Sequence, residues 1–345
     1  MVGYFHLPGQ IVEYIPRLSF HSLFDSVRLS SGVDLFFVIS GFIMTVTSRK
    51  STPADFAMRR LIRVVPLYWL LTATLAILVL LRPELFRSTT LSVATFVKSL
   101  LFIPYPNLGQ GGKYAPLLVP GWSLNFEMFF YAIFAIALFA AARRRLLICG
   151  IVFGGLAATQ FLPAYAEVNT LLHFYASPRI LEFWTGMLIA HFYLQDSVRF
   201  RPAVCLTMIV GGFCLLLANY SGLPLTEGSW VECILTDLIP CAAILLGTLG
   251  LEGSGRMPNW RWCSLLGDAS YSIYLSHIFS LGIARLAWTR LGLAHDTALH
   301  AMLFAVISMA LVIAIALLVY RLLEKPMLDT LHALYLQHRR RAPEK

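Results

Sequence analysis

Long stretches of this 345-residue sequence contain no formally charged residue. Residues 64–81 (VVPLYWLLTATLAILVLL), 202–226 and 297–320 all lack Asp, Glu, Lys and Arg. A helix that rises 1.5 Å per residue needs about 20 apolar residues to cross a hydrocarbon core about 30 Å thick. The stretches are apolar on all sides, whereas strands of a membrane barrel alternate. They therefore predict membrane-spanning helices.

The composition supports the same class of protein. Only 13% of the residues are charged and 58% are hydrophobic, with a mean hydropathy of +0.72. A soluble domain has about 25% charged residues, and a disordered chain is rich in charge and poor in aromatic residues. We predict an all-α integral membrane protein in which residues 1–345 form a single polytopic domain.

The number of spans follows from the remaining apolar stretches. Six further candidates lie at 33–48, 122–142, 146–163, 177–195, 233–250 and 267–289. The N-terminal MVGYFHLP is too short to cross, and it lacks the charged region and cleavage site of a signal peptide. We predict a bundle of about ten transmembrane helices with a truncated first helix, and expect the natural reading frame to extend upstream of Met1. The alternative is that this segment is a half-span packed among its neighbours.

Basic residues are unevenly distributed between the two sets of loops. The segments 49–63, 143–145, 196–202, 251–266 and the tail after Tyr320 carry 5, 3, 2, 2 and 6 Lys or Arg, which is 18 of the 27. The opposite loops hold six. Because basic residues accumulate in cytoplasmic loops, the Arg-rich side and the C-terminus are predicted to be cytoplasmic.

Four motifs are more specific than hydropathy. They are SGVDLFFVISGFIM at 31–44 followed by RRLIRVVPLYW at 59–69, GWSLNFEMFFY at 121–131, GDASYSIYLSH at 267–277, and LEKPM at 323–327. In this order they resemble the acyltransferase-3 family of membrane-bound O-acyltransferases, in particular its exopolysaccharide-production (ExoZ-type) branch. The resemblance extends from His6 to Pro326.

The resemblance implies a reaction and its partners. Members of this family transfer an acyl group, usually acetyl from cytoplasmic acetyl-CoA, to a sugar hydroxyl of an extracytoplasmic glycan. It therefore implies a carbohydrate acceptor or its lipid-linked precursor, an acyl-CoA donor substrate, a lipid bilayer and polysaccharide-assembly proteins as partners. It implies no bound cofactor, no metal and no nucleic acid. The expected location is the bacterial cytoplasmic membrane.

A histidine in the first helix is the expected base. The family has a His in a context like MVVLFH, with an Arg eleven residues earlier; His6 in MVGYFH matches, and the Arg would precede Met1. Attack by an alcohol needs a base near neutral pH, a role that suits His. The alternative is a His that only bonds backbone. His21 matches no motif.

Arg60 and Arg63 match the R-x-x-R of the family's first cytoplasmic loop. A spacing of three places both guanidinium groups on one helix face, where they can bind phosphates. We expect them to hold the phosphates of CoA. The alternative is that they only anchor the span at the membrane surface.

A reaction cavity is expected from the second and third motifs. Ser123 and Glu127 share a helix face, a carboxylate inside the membrane normally faces a cavity or partner, and Trp122 could stack on a sugar ring. Tyr271 and the mid-membrane His277 are expected to line the same cavity. Interfacial anchoring and interhelical hydrogen bonds are the structural alternatives for these residues.

Other polar residues in the spans have simpler interpretations. Glu182 lies one turn from Arg179, and this spacing predicts an internal ion pair. Asp34 is expected to complement a helix dipole. Asp237 has no motif support, and Glu324 is expected to be structural. The six cysteines show no C-x-x-C spacing and are interpreted as packing residues.

A transporter or glycan flippase is the rival function, although the chain shows no matching halves.

Overall fold

The computed structural model describes residues 31–86, 89–162, 170–218, 230–257, 260–293 and 297–341. His6 and His21 lie outside these residues. Within the described ranges the regular secondary structure is helical, and extended pairing is limited to an isolated bridge between Pro106 and Tyr114. The predicted all-α class is confirmed.

The helices follow the apolar stretches closely. In chain order they are α1 (Gly32–Thr47), α2 (Pro53–Leu81), α3 (Val93–Leu100), α4 (Trp122–Ala137), α5 (Ala142–Ala158), α6 (Thr170–Tyr175), α7 (Ile180–Leu194), α8 (Pro202–Leu217), α9 (Trp230–Gly253), α10 (Arg261–Asp268), α11 (Ser270–Arg290), α12 (Ala298–Val319) and α13 (Lys325–Arg341). A π-helical turn at Ile234–Leu238 interrupts α9, and another at Tyr320–Glu324 joins α12 to α13. Short 3₁₀ turns occur at Pro83–Leu85, Leu108–Gln110, Val119–Gly121 and Thr159–Phe161.

Five helical segments in the described chain are long and apolar enough to cross a membrane. They are Pro53–Leu81, Val119–Ala137, Ala142–Phe161, Trp230–Gly253 and Leu299–Arg340. Two shorter apolar helices, α1 and α8, accompany them. Each of the nine spans predicted after residue 32 contains a helix, whereas the total of about ten spans stays a prediction.

Contacts divide the described chain into two compact units, of which the first comprises residues 31–53 and 132–260. Its α1 and α7 touch backbone to backbone at two glycines. A Cβ on Gly41 would lie 2.0 Å from the Phe183 carbonyl oxygen, and one on Gly186 would lie 2.0 Å from the Val38 carbonyl oxygen. Small residues at such crossings let membrane helices approach closely.

Buried charges in the first unit form pairs between helices. Arg179 makes an ion pair with Asp34 of α1, at 2.9 Å between Nε and Oδ1, and the Glu182 carboxylate, one turn along α7, also acts on this guanidinium. Asp34 lies in the first turn of α1 and is 2% exposed, so both the helix dipole and the Arg179 charge stabilise its buried carboxylate. Ser31 donates a hydrogen bond to Asp237 at 2.8 Å. Asp237, which no motif supported, is therefore held by a specific contact.

The second unit comprises residues 54–131 and 261–341. The segment between α2 and α4 is fixed around Ser99, whose hydroxyl accepts a bond from the Leu117 N–H at 2.8 Å and whose carbonyl accepts one from Tyr68 at 3.1 Å. At the other end of α2, the buried Asp55 carboxylate pairs with two residues of α13. Arg339 lies 3.0 Å away, and the Tyr335 hydroxyl donates a hydrogen bond.

Candidate active site

Arg60 and Arg63 project from the first turns of α2 in the second unit, and aromatic rings lie beneath both guanidinium groups. The Arg60 guanidinium carbon lies 5.6 Å from the ring centre of Phe56 and 5.8 Å from that of Tyr131. The Arg63 carbon lies 5.8 Å from the ring centre of Tyr271. Because a ring face attracts a cation, these contacts restrict the side chains without neutralising them.

Arg63 is also bound by a carboxylate far along the chain. Its Nη1 lies 3.0 Å from Oε1 of Glu324, a side chain that is 1% exposed. The second oxygen of Glu324 accepts a hydrogen bond from the Ser272 hydroxyl at 2.5 Å. The Glu324 carboxylate thus has a partner on each oxygen, as a buried charge requires, and it holds one of the two arginines expected at the donor phosphates.

Glu127 lies on α4 and is 4% exposed. The Tyr131 hydroxyl, one turn further along the helix, donates a hydrogen bond to it. The ring of the same Tyr131 lies 5.8 Å from the Arg60 guanidinium carbon. Tyr131 therefore connects Glu127 of α4 with the first of the two arginines of α2.

A second polar group connects α4 with α11. The hydroxyls of Ser123 and Tyr274 lie 2.6 Å apart, and Tyr274 donates to the Pro120 carbonyl at 2.5 Å. His277 is completely buried, and its Nδ1 lies 2.5 Å from the Tyr274 carbonyl. Because a carbonyl only accepts, Nδ1 carries the proton in this bond, so Nε2 is the acceptor in a neutral His277.

Tyr271 and Trp122 occupy different surroundings. The Tyr271 hydroxyl donates to the Val64 carbonyl of α2 at 2.7 Å while its ring lies under Arg63. This places Tyr271 beside the predicted donor residues. Trp122 is half-buried and packs edge-on against Phe126, with ring centres 6.1 Å apart.

Asn125 is a candidate that sequence reasoning missed. It lies on α4 between Ser123 and Glu127 and is 1% exposed. Neither its amide oxygen nor its amide nitrogen has a hydrogen-bond partner among the described residues. The available signal was its position in GWSLNFEMFFY, because an amide inside an apolar span is costly to bury without a partner. Its amide could bind a substrate carbonyl or hydroxyl.

Residue types that commonly bind metal ions are not clustered in the described part of the chain. Across those ranges, no group of three or more His, Cys, Asp or Glu side chains is placed to hold an ion. The cysteines described there are free thiols, with Cys149, Cys205, Cys233 and Cys241 buried and Cys214 and Cys263 exposed.

Comparison with known proteins gives a family and two relatives. The family model described as an acyltransferase domain (acyltransferase-3) matches residues 1–321. The exopolysaccharide production protein ExoZ of Rhizobium meliloti (strain 1021) is 37% identical over 306 residues, covering 87% of this chain and 89% of that protein. BcsY of Komagataeibacter xylinus, which carries the name of a membrane-bound transacylase, is 25% identical over 325 residues, covering 86% of this chain and 76% of that protein. No solved structure gives a significant match.

Proposed function

Because this chain belongs to the acyltransferase-3 family, we propose that it moves an acetyl group from cytoplasmic acetyl-CoA to a hydroxyl of an extracytoplasmic polysaccharide or of its lipid-linked precursor. The family and both relatives support an O-acyltransferase in a membrane. The observation that carries the choice of acceptor is the similarity to an exopolysaccharide production protein over 87% of the chain.

The reaction needs a base, a donor site and a cavity. In our proposal His6 takes the proton of the sugar hydroxyl, the hydroxyl oxygen forms an ester bond with the acetyl carbonyl carbon, and the carbon–sulfur bond of the thioester breaks. The leaving CoA thiolate receives a proton, so that the products are an acetylated sugar and CoA. General-base assistance of this kind typically contributes about 10²–10⁴-fold.

The contacts in the second unit support a donor site at the start of α2. Arg60 and Arg63 are held over aromatic rings, with their side chains partly accessible. Arginine binds phosphate through two parallel N–H donors, and CoA offers a pyrophosphate and a 3′-phosphate. Arg63 already has Glu324 as a partner, so donor phosphates would share it with that carboxylate or displace the bond.

The polar groups of α4 and α11 support an acceptor cavity. Glu127, Ser123 and His277 are buried, and sugar hydroxyls both donate and accept hydrogen bonds. Asn125 adds an amide with both functions available within the described residues. We propose that Glu127, Ser123, Tyr271, His277 and Asn125 line this cavity, with Trp122 at its outer end.

The proposed orientation places the C-terminus and the Arg-rich loops in the cytoplasm of a bacterial cell, in the cytoplasmic membrane. It rests on the 18 basic residues of that side against six on the other. Acetyl-CoA is made in the cytoplasm, so this orientation puts Arg60 and Arg63 on the side from which the donor arrives.

Radiolabelled acetyl-CoA tests the proposed function. Membranes from cells that express the chain are incubated with the labelled donor and with polysaccharide or lipid-linked sugar from the same cells. We expect label in the glycan fraction that mild alkali releases as acetate, because an O-acetyl ester is alkali-labile. Label that resists alkali, or that appears equally in membranes without the chain, would contradict the proposal.

A further inference from the structure

A cavity of about 1010 Å³ lies between α5 and α7, entirely within the first unit. It is separate from the residues proposed above for donor and acceptor. One end is cationic, since Arg49 follows α1 and Arg143 and Arg145 lie in the first turn of α5. The end of α7 adds His191 and Gln195, whose side chains are 3.0 Å apart. The described residues that line the cavity include no Asp or Glu.

The rest of the cavity is apolar and open along its length. From Arg143 to Gly154 it follows α5 for roughly 16 Å, at 1.5 Å per residue. Leu147 and Ile151 line this part and are 63% and 65% exposed. On the facing helix, the Trp184 indole N–H donates to the Leu146 carbonyl at 3.0 Å, which fixes the ring as a wall of the cavity.

The far end has room for a chain. A Cβ on Gly154 would have no heavy atom within 4 Å, so space remains beside the helix there. The cavity has a cationic end followed by an exposed apolar groove. This order is complementary to a phospholipid, in which a negatively charged phosphate is followed by apolar acyl chains. Basic pockets between helices on the cytoplasmic side of a membrane typically bind anionic headgroups.

We propose that this cavity binds one anionic phospholipid. Its phosphate lies against Arg49, Arg143 and Arg145, and an acyl chain follows Leu147 and Ile151 toward Gly154. Charge complementarity selects an anionic headgroup over a zwitterionic one. A phosphate compound without acyl chains would leave the groove beyond the arginines uncovered. The proposal requires no acyl transfer and stands or falls independently of the proposed function.

The test measures lipid binding to the purified full chain in detergent. The probes are phosphatidylglycerol and phosphatidylcholine with the same acyl chains, counted on the intact protein by native mass spectrometry over a concentration series. One double variant removes two cavity arginines, Arg143→Gln with Arg145→Gln. Its control, Arg144→Gln with Arg201→Gln, removes the same charge from exposed positions that do not line the cavity.

A second pair of variants tests the apolar end. Gly154→Phe places a ring in the groove, whereas Gly155→Phe places one on the neighbouring glycine, which has open space but does not line the cavity. A Cβ at either glycine would have no heavy atom within 4 Å, so neither substitution creates a clash at its Cβ.

We expect one phosphatidylglycerol to bind more tightly than phosphatidylcholine. Each basic residue near a headgroup contributes about a fivefold factor, so the cavity double variant should weaken binding about 10- to 25-fold while its control stays within about twofold. Gly154→Phe should weaken binding and Gly155→Phe should not. Equal binding of the two lipids, or equal loss in variant and control, would overturn the proposal. So would displacement of the lipid by acetyl-CoA with a parallel loss of acetyl-CoA binding in the cavity variants, since the cavity would then be a donor site.

Discussion

Tyr131 connects a cation with an anion: its ring centre lies 5.8 Å from the Arg60 guanidinium carbon, and its hydroxyl donates a hydrogen bond to the buried Glu127 carboxylate. The ring face and the hydroxyl edge of one side chain therefore have opposite electrostatic partners. This arrangement holds the first arginine of the R-x-x-R pair and the carboxylate of α4 in a fixed relation.

Replacing Glu127 by Gln should lower acyl transfer without removing the protein from the membrane. The change keeps the shape of the side chain but removes its negative charge and weakens the hydrogen bond from Tyr131, because a hydrogen bond to a charged group contributes about 1.5–3 kcal/mol. We expect about a 10- to 100-fold loss of transfer per unit of folded protein. Glu84→Gln, which changes an exposed carboxylate of the outer loop, is the control. Equal activity of the two variants would exclude a role for Glu127 in the reaction.

Variants of the Arg63–Glu324 ion pair should distinguish its effect on protein stability from the effect of Arg63 on donor binding. Glu324→Gln leaves Arg63 without its partner and should lower the free energy of unfolding by about 1–3 kcal/mol, less than for a fully buried pair because Arg63 is partly exposed. The double variant with Arg63→Gln should recover part of that loss. Thermal unfolding in detergent measures both.

The KM for acetyl-CoA gives the other half of this test. It should rise about tenfold in Arg63→Gln and in the double variant, because a charge-assisted contact to phosphate is lost. Arg59→Gln, which changes an exposed arginine of the same helix, should leave KM unchanged. If the double variant restored KM to the wild-type value, Arg63 would be a structural residue only.

His6→Ala should reduce acetyl transfer at least about a hundredfold while the protein still accumulates in the membrane. The reason is that a sugar hydroxyl is a poor nucleophile until a base takes its proton. His21→Ala, the matched change at a histidine outside the motif, should keep near-normal transfer. If acetyl transfer by His6→Ala stayed within about threefold of wild type, another residue would be the base, with His277 as the next candidate.

Gly41→Ala should destabilise the first unit. The added Cβ would lie 2.0 Å from the Phe183 carbonyl oxygen, so α1 and α7 would have to separate, at a cost of about 1–3 kcal/mol. Gly155→Ala adds the same methyl group to open space and should leave the melting temperature within a degree or two of wild type. Unchanged melting of Gly41→Ala would show that the two helices do not touch at this glycine.

The predicted orientation can be checked by cysteine labelling. In a background of Cys214→Ser and Cys263→Ser, the two exposed native cysteines being removed, Arg144→Cys should resist a membrane-impermeant maleimide applied to intact cells. Lys113→Cys, exposed in the outer loop, should react. The opposite pattern would reverse the topology.

The sequence predicts the helices well and the polar contacts poorly, for a physical reason. Apolar runs specify where helices form, because backbone groups in a membrane must bond within their own segment, and a helix is present in each predicted span of the described chain. Arg63 and Glu324 are 261 positions apart, so no local pattern predicts their contact. Arg179 shows the same limit, since its ion-pair partner Asp34 lies 145 positions away in the sequence.

Asn125 shows what motif reasoning overlooks. The chemistry that the resemblance implies points to the acids, bases and hydroxyls of GWSLNFEMFFY, and an amide has no acid–base role. Only its burial together with its missing partners among the described residues marks it as a candidate. Such a residue becomes visible when hydrogen bonds can be counted.

The π-helical turn at Tyr320–Glu324 sets the rotational phase between α12 and α13. A π turn accommodates one residue more than an α-helical turn would, and one residue corresponds to about 100° of rotation. Removing a residue there would keep both helices but rotate α13 about its axis, carrying Tyr335 and Arg339 away from Asp55. The angular setting of the C-terminal helix, and with it the closure of the chain's end onto the start of α2, is thus determined by the length of a single turn.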